Sequence, residues 1–245
     1  MAHLNHALDE SPFASSSAWK DFDLGRSSLR EVNQYLHRDF VHDGATKVRI
    51  TNPDGAHSIA CGLNVDGSVQ IDGHVGYYVA GMNKLARVVV NGNAGPGAAE
   101  NMMSGSVRVR GFASTSAGAS ARGGTLIIEG DASLRCGISL KGADIVVGGS
   151  VGSFCAFMAQ AGRIVICGDA GDALGDSLYE AVIYVRGEVK SLGADARFET
   201  MTPADYEAVA GLLSKAALHH DPREFKRVAS ARTLYHWNAE ANQEY

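Results

Sequence analysis

The chain has 245 residues, enough for one or two domains with a core, and its 45% hydrophobic and 20% charged residues are ordinary for a soluble globular protein. Its formal net charge is −5 and no basic stripe occurs, so nucleic acid is not an expected partner. Glycine departs from the average: 29 glycines make up about 12% of the chain, against about 7% in typical proteins. This surplus predicts many tight turns.

The sequence shows no sign of export or of membrane insertion. The N-terminal stretch lacks a basic start followed by an apolar core, which a signal peptide needs. No apolar run approaches the roughly 18 residues of a membrane span. The four cysteines follow no pattern, which is typical of a reducing compartment. We therefore expect a cytoplasmic protein.

Residues 1–44 are predicted to form an N-terminal extension with one short helix. Ser28 and Glu31 have the spacing of a capping box, which marks a helix start. Leu29, Val32 and Leu36 then fall on one helical face.

A 19-residue repeat occupies the middle of the chain. Seven segments align without a gap, and each ends in a glycine. The third and fifth residues of each segment are apolar and mostly β-branched, from Val69 and Ile71 to Ile183 and Val185, whereas the residues between them vary freely. This alternation predicts a strand with one inward face. The closing glycines are Gly73, Gly92, Gly111, Gly130, Gly149, Gly168 and Gly187.

Two more columns complete each repeat. Two residues after the glycine comes a small apolar residue, from Val75 to Val189, which predicts a second short inward strand. Seven residues after it only glycine or alanine occurs, which predicts a tight turn or close packing. The small-residue column is Ala80, Ala99, Gly118, Gly137, Ala156, Gly175 and Ala194.

A single repeat cannot bury its own inward face, but stacked repeats can, because identical columns then lie above one another. The sequence therefore predicts an all-β fold over residues 45–198: a single-stranded, right-handed parallel β-helix of at least seven 19-residue coils. An irregular coil that starts near Val48 is expected to precede them. A leucine-rich repeat fold is not expected, because its Leu/Asn consensus is missing from the sequence. A left-handed β-helix built from hexapeptide repeats is not expected either, because the 19-residue period is not a multiple of six.

Residues 199–245 are predicted to form a helical tail. Thr202 is a suitable N-cap and Pro203 a suitable first helical residue. A basic, aromatic tail follows the helix. The expected buried face of the helix is Tyr206, Val209, Leu213 and Ala216, and the later aromatic residues are Phe225, Tyr235 and Trp237. Both flanking segments could cap the open ends of the β-helix or wrap a partner protein, and the sequence leaves these alternatives open.

Residues with possible chemistry mostly have a simpler explanation. Cys61, Cys136 and Cys155 share one column that is otherwise apolar, and no CxxC occurs, which favours an apolar stack over a metal centre. His74 follows Asp72 closely and could serve acid–base chemistry, but a hydrogen bond at the corner is the favoured role. Four aspartates at later corners are expected to be solvated carboxylates: Asp131, Asp169, Asp172 and Asp176.

Two neighbouring corners carry larger side chains than the repeat requires. Matching places in another coil hold Ala119 and Ser120. Clustered aromatic and methionine side chains on a surface favour a partner interface, although an inward, core position is the alternative. The candidate interface residues are His74, Tyr77, Tyr78, Met82, Asn83, Glu100, Asn101 and Met102.

The repeat resembles a known family through long strings, including GHVGYYVAGMN, AENMMSG and GDASLRCGISLKGADIVVGGSVG. Over residues 45–198 it is similar to the GXGXG domain that closes the glutamate synthase large subunit. A more distant likeness is to the β-helical subunit of formylmethanofuran dehydrogenase. The leading DLGRSSLREVNQYLH and trailing SARTLYHWN segments make it most similar to the free-standing GXGXG subunit of N-methylglutamate synthase.

This resemblance implies a hetero-oligomeric complex that makes N-methylglutamate from methylamine and glutamate and releases ammonia. In it, a glutamine-amidotransferase-like subunit and a subunit with FMN and an iron–sulfur cluster carry the chemistry. The present chain begins Met1-Ala2-His3, without the family's N-terminal cysteine nucleophile, and it has no FMN-barrel pattern and no iron–sulfur cysteine cluster. The resemblance therefore implies no catalytic, cofactor-binding or metal-binding residue here, and an isolated chain without activity. The alternatives are a subunit of a split-gene glutamate synthase, which uses glutamine and 2-oxoglutarate, and a stand-alone β-helix binding protein.

Overall fold

The computed structural model describes residues 19–40, 42 and 45–233, so Tyr235 and Trp237 lie outside the described residues. The chain winds into a parallel β-helix, which confirms the predicted fold. Its right-handed winding follows from the crossover preference of parallel strands. The parallel strands are β1 (Lys20–Asp23), β2 (Lys47–Thr51), β3 (Ser68–Asp72), β4 (Arg87–Val90), β5 (Ser106–Val109), β6 (Thr125–Ile128), β7 (Lys141–Val147), β8 (Ala161–Ile166) and β9 (Val182–Val185).

The strand register repeats the sequence period. Val69 pairs with Val88 and Val88 with Val107, each 19 residues on, and this step continues through β9. The irregular first coil is longer, because Val48 pairs with Val69. A second ladder of single parallel bridges runs from Val75 to Val189. In strands β3–β9 the two inward columns, which run from Val69 to Ile183 and from Ile71 to Val185, are buried along their whole length, as predicted. They form one continuous core.

The small-residue column has two physical causes. Ala80, Ala99 and Ala156 have φ between 51° and 61°, a left-handed conformation in which large side chains are strained. Gly118 has φ 69°, and a Cβ there would lie 2.6 Å from Ile145 Cδ1. Both the turn and the close packing that the sequence predicted therefore occur at this column.

The closing glycines stack directly on one another. Gly130 N donates to Gly111 O and Gly149 N donates to Gly130 O, each at 3.0 Å, and the ladder runs on to Gly187. A positive φ does not explain the glycines of this column, because among them only Gly73 has one, at 140°. The cause is contact between coils, since a Cβ on Gly130 would lie 3.0 Å from Gly111 O.

Helix α1 (Leu29–Arg38) covers the first coil. Ser28 and Glu31 form the predicted capping box, and Val32 and Leu36 are buried in the main core. Asn33 binds the backbone of the first coil through both side-chain atoms: its Nδ2 donates to Ser58 O and its Oδ1 accepts from Ala60 N, each at 3.0 Å.

Helix α2 (Pro203–Ala216) takes a position that the sequence did not predict. Thr202 caps it as expected, but the helix lies on the outer face of β6–β9 and not across the end of the coils. Outward residues of those strands, which were expected to face solvent, are buried beneath it. They are Ile127, Val146, Val165 and Tyr184. Tyr206 is exposed, and Leu212 joins Val209, Leu213 and Ala216 on the buried face.

The last coil is covered by two strands and not by a helix. Strand β11 (Lys226–Ser230) pairs antiparallel with β9, and β10 (Ala196–Glu199) pairs antiparallel with β11. A single 3-10 turn, Pro222–Glu224, lies between α2 and β11. Neither of the two helices in the described part of the chain is long and apolar enough to cross a bilayer.

A Gly130→Val substitution should lower the free energy of unfolding by about 1–3 kcal/mol, because the added side chain must push two stacked coils apart. Gly211 in α2 is the control, since a Cβ there would meet nothing within 4 Å. Gly211→Ala should leave stability unchanged or raise it by about 0.5–1 kcal/mol. Urea unfolding measures both, and equal effects from the two variants would contradict the contact explanation.

A buried hydrogen-bond group anchors α2 and gives the fold a pH dependence. Tyr184 Oη donates to Asp205 Oδ1 at 2.7 Å. Burial raises the pKa of Asp205, but hydrogen bonds from Thr202 and Tyr184 outweigh it and hold this pKa below its ordinary value. A carboxyl whose pKa is depressed on folding adds stability above its unfolded pKa, and that stability is lost as the pH falls through the folded pKa.

Tyr184→Phe should therefore cost about 1.5–3 kcal/mol at pH 7, the range for a hydrogen bond to a charged group. The wild-type chain should lose stability more steeply than the variant below about pH 4, where carboxylates begin to take up protons. Tyr206→Phe, at an exposed tyrosine of the same helix, should change neither quantity. If the free energies of unfolding of Tyr184→Phe and of the wild type fall in parallel across this pH range, the hydrogen bond does not set the pKa of Asp205.

Candidate interaction surface

The corner after each second short strand presents side chains outward at a regular spacing. In one coil Tyr78, Ala80 and Met82 have φ of 61°, 51° and 56°. Ala80 is buried, while Tyr78 and Met82 are exposed. The same columns recur 19 residues apart, so these corners form a vertical surface. We call it the corner ribbon: residues 77–85, 96–104, 115–123, 134–142 and 153–161.

Backbone hydrogen bonds hold the corner ribbon rigidly between coils. Tyr78 N donates to Pro96 O in the next coil, and Met82 N donates to Glu100 O there, at 2.9 and 2.7 Å. Ala80 N donates in the opposite direction, to Ile59 O in the preceding coil, at 2.9 Å. Since amides point alternately to both neighbours, the conformation of each corner is fixed by the coils on either side.

Most of the predicted interface residues lie on this surface. Tyr77, Tyr78 and Met82 are between 44% and 54% exposed, and Asn101 is also exposed. Glu100 beside them is half-buried. The ring of Tyr77 stacks on His57 with 3.5 Å between centroids, which fixes its direction.

Two members of the predicted interface do not belong to the surface. Asn83 and Met102 are fully buried. They occupy neighbouring coils in one inward column, and Asn83 Nδ2 donates to Ala86 O at 2.8 Å and to Ser104 O at 3.2 Å. The alternative of a core position therefore holds for these two residues.

His74 lies in a column that binds backbone and not substrate. Its Nδ1 accepts from Asn93 N at 3.0 Å, so the imidazole accepts at Nδ1 and is not available there as a base. Asp72 instead accepts from Gln70 and Asn91, at 2.8 and 2.6 Å. Asp131 Oδ1 repeats the role of His74 by accepting from the backbone N of Ser150 at 2.7 Å, and Asp169 does the same for Glu188 at 2.8 Å.

The other candidate groups are likewise engaged. Asp172 pairs with Lys190 at 2.6 Å, and Asp176 accepts from Ala194 N at 3.2 Å. Among the residues that the structure describes, no three His, Cys, Asp or Glu side chains are grouped so that they could hold a metal ion.

Three of the cysteines have a raised thiol pKa. A hydrogen bond with Cys136, followed by burial, raises the pKa of Cys155. Burial raises the pKa of Cys167, beneath α2, to about 11. Burial, with the nearby charge of Glu100, also raises the pKa of Cys61. A protonated thiol is a poor nucleophile, so these cysteines are suited to packing.

The exposed apolar surface extends beyond the two corners that the sequence singled out. Leu134, Phe154 and Met158, in later coils, are also between 40% and 48% exposed. The sequence did not indicate these residues, because the coil that served as the reference, with Ala119 and Ser120, has small corner residues. Of the eleven large apolar side chains that are exposed in the described residues, eight lie on the corner ribbon: Tyr77, Tyr78, Met82, Leu85, Met103, Leu134, Phe154 and Met158.

A second apolar groove, of about 500 Å³, lies where β11 and α2 meet the last coil. Phe198 and Tyr206 form its exposed walls, and Val189, Met201 and Phe225 line it further in. Lys226 and Glu188 at its rim are 3.9 Å apart and partly neutralise each other.

Comparison with known proteins gives one informative relative. The chain is 52% identical over 224 residues to protein GlxC of Rhizobium meliloti (strain 1021), an alignment that covers 91% of this chain and 98% of that protein. No protein-family model matches the chain.

Substitutions at two methionines test directly which corner side chains are exposed and which belong to the core. Met82 is 54% exposed and Met102 is 0% exposed. Met102→Ala should cost about 2–5 kcal/mol of unfolding free energy, as expected for a buried methionine. Met82→Ala should stay within about 0.5 kcal/mol of the wild type. Chemical unfolding of both variants gives the comparison, and a large loss for Met82→Ala would place the ribbon side chains inside the core.

Proposed function

The chain belongs to the same family as protein GlxC, and from this premise we propose that it is a non-catalytic structural subunit of a glutamate-synthase-like complex. The specific complex we propose is N-methylglutamate synthase, which converts methylamine and glutamate to N-methylglutamate and ammonia. The likeness of the repeat to the GXGXG domain supports this assignment.

The observation that carries the structural role is the corner ribbon. It is a rigid surface, fixed by hydrogen bonds to both neighbouring coils, and most of the exposed large apolar side chains of the described residues lie on it. Exposed apolar side chains grouped on one face are typical of a contact with another protein. The polar groups that could have served catalysis are engaged in holding coils together, as at His74, Asp131 and Asp169.

In this proposal the chemistry belongs to two partners. A glutamine-amidotransferase-like subunit releases or transfers the nitrogen group, and a second subunit supplies FMN and an iron–sulfur cluster. The present chain braces these two active sites relative to each other. Split-gene glutamate synthase is the alternative, and it differs in its substrates, glutamine and 2-oxoglutarate, and not in the role of this chain.

The test is co-expression of the tagged chain with an amidotransferase-like subunit and a flavin subunit of the proposed complex. We expect a complex that contains all three chains, shows flavin absorbance and turns over methylamine with glutamate. Turnover of glutamine with 2-oxoglutarate alone would favour the alternative complex.

The tagged chain purified alone is the matched control. It should show no flavin absorbance and no turnover of glutamate or glutamine, because its candidate polar groups bind its own backbone. Stoichiometric FMN in the lone chain, or turnover by it, would contradict the structural role.

A further inference from the structure

The basic side chains of the corner ribbon differ from those elsewhere on the solenoid. Lys84, Arg122, Arg135 and Lys141 lie on the ribbon, and Glu100 is its one carboxylate. None of these four basic groups has an ion-pair partner among the described residues. The ribbon is therefore a positively charged surface on a chain whose formal net charge is −5.

On the strand face, by contrast, two arginines are paired with carboxylates of the chain. Arg108 lies 2.8 Å from Glu129, and Arg163 lies 2.7 Å from Asp144. Those pairs join neighbouring coils and stabilise the stack. The ribbon bases make no such contribution, so stacking of the coils does not account for their position.

Unpaired charge and exposed apolar area coincide on the same surface. Arg135 is the sequence neighbour of the exposed Leu134, and Lys84 is the neighbour of the exposed Leu85. Interfaces commonly combine an apolar centre with a charged rim, and complementary charge raises the rate of association and selects the partner.

We propose that the corner ribbon is the docking surface for a protein subunit whose facing surface is rich in carboxylates and presents apolar side chains to the exposed rings and methionines of the ribbon. This inference rests on the proposed function, since it assigns one face of the chain to one partner of the complex. Five coils at about 4.8 Å each make the ribbon about 24 Å tall, comparable with the side of an 800 Å² patch, about the size that each partner contributes to a standard interface.

A second copy of this chain fits the ribbon poorly. A two-fold symmetric contact sets a surface against itself, so the ribbon bases would face each other and repel. The column that holds Tyr78 and Phe154 also holds Arg135, so a basic group lies in the coil next to an exposed ring of the ribbon.

The test uses variants of the tagged full-length chain and measures the dissociation constant for each of the two partner subunits. Arg122→Glu with Arg135→Glu should weaken one of the two contacts at least about tenfold at low salt, and less at high salt, because screening reduces the effect of surface charge. The control pair, Arg110→Glu with Lys215→Glu, makes the same charge change at exposed residues off the ribbon. It should stay within about twofold of the wild type.

An apolar pair of variants tests the exposed rings of the surface. Phe154→Ser should weaken the same contact at least about tenfold if its ring is an anchor, whereas Phe112→Ser, at an equally exposed ring on another corner, should not. Thermal midpoints near the wild-type value confirm that all the variants fold.

The outcomes separate this inference from the proposed function. If the wild-type chain binds neither subunit, the proposed function fails and the docking inference fails with it. If the complex forms but the ribbon variants bind as the wild type does, or the controls weaken binding equally, only the docking inference is overturned. Self-association of the lone chain, or binding to phosphatidylserine vesicles, that the ribbon variants abolish would also overturn it, in favour of a second copy or a lipid surface.

Discussion

The fold depends on the close approach of successive coils at their closing glycines. Gly111, Gly130 and Gly149 each donate a backbone N–H to the closing glycine of the coil before, and a Cβ at Gly130 would lie 3.0 Å from Gly111 O. This contact requires glycine at the same place in successive coils, and the 19-residue spacing keeps these glycines in register. Once the length is fixed, every other column is fixed as well: buried columns stay buried, and outward columns accumulate into continuous surfaces.

The corner ribbon is one such surface, and its conformation explains why it can differ so much in sequence from coil to coil. Left-handed residues such as Tyr78 and Met82 point outward, while the buried Ala80 between them satisfies the packing requirement. Large side chains such as those of Tyr78, Arg135 and Phe154 can therefore be present at these corners without disturbing the core. The backbone is held by the coils on both sides, so a partner would meet a surface that is already ordered, and little conformational entropy would be lost on binding.

Much of the fold could be predicted from the sequence because its signals are local or periodic. Valine and isoleucine at period two predicted the inward strand faces, and Ser28 and Thr202 predicted the two helix starts. The position of α2 could not be predicted in this way. The relevant signal was present, since Ile127, Val146 and Val165 are apolar at outward positions, but only the tertiary structure shows that a helix covers them.

The candidate surface was predicted only in part, for a related reason. Alternation between inward and outward side chains is regular in a strand but not in a corner whose φ changes sign. Met102, which is buried, and its neighbour Met103, which is exposed, therefore look equivalent in the sequence. The extent of the ribbon depends on residues far apart in sequence, such as Tyr78 and Phe154, which the stacking of coils places on one face.

The central claim is that this solenoid works by contact, through one face. Hydroxyl-radical footprinting of the free chain and of the assembled complex tests it most directly. The account predicts that Met82, Phe154 and Met158 lose most of their reactivity on assembly, while Phe112, which is exposed on another corner, keeps its reactivity. Equal modification of the ribbon residues in the free chain and in the complex would contradict it.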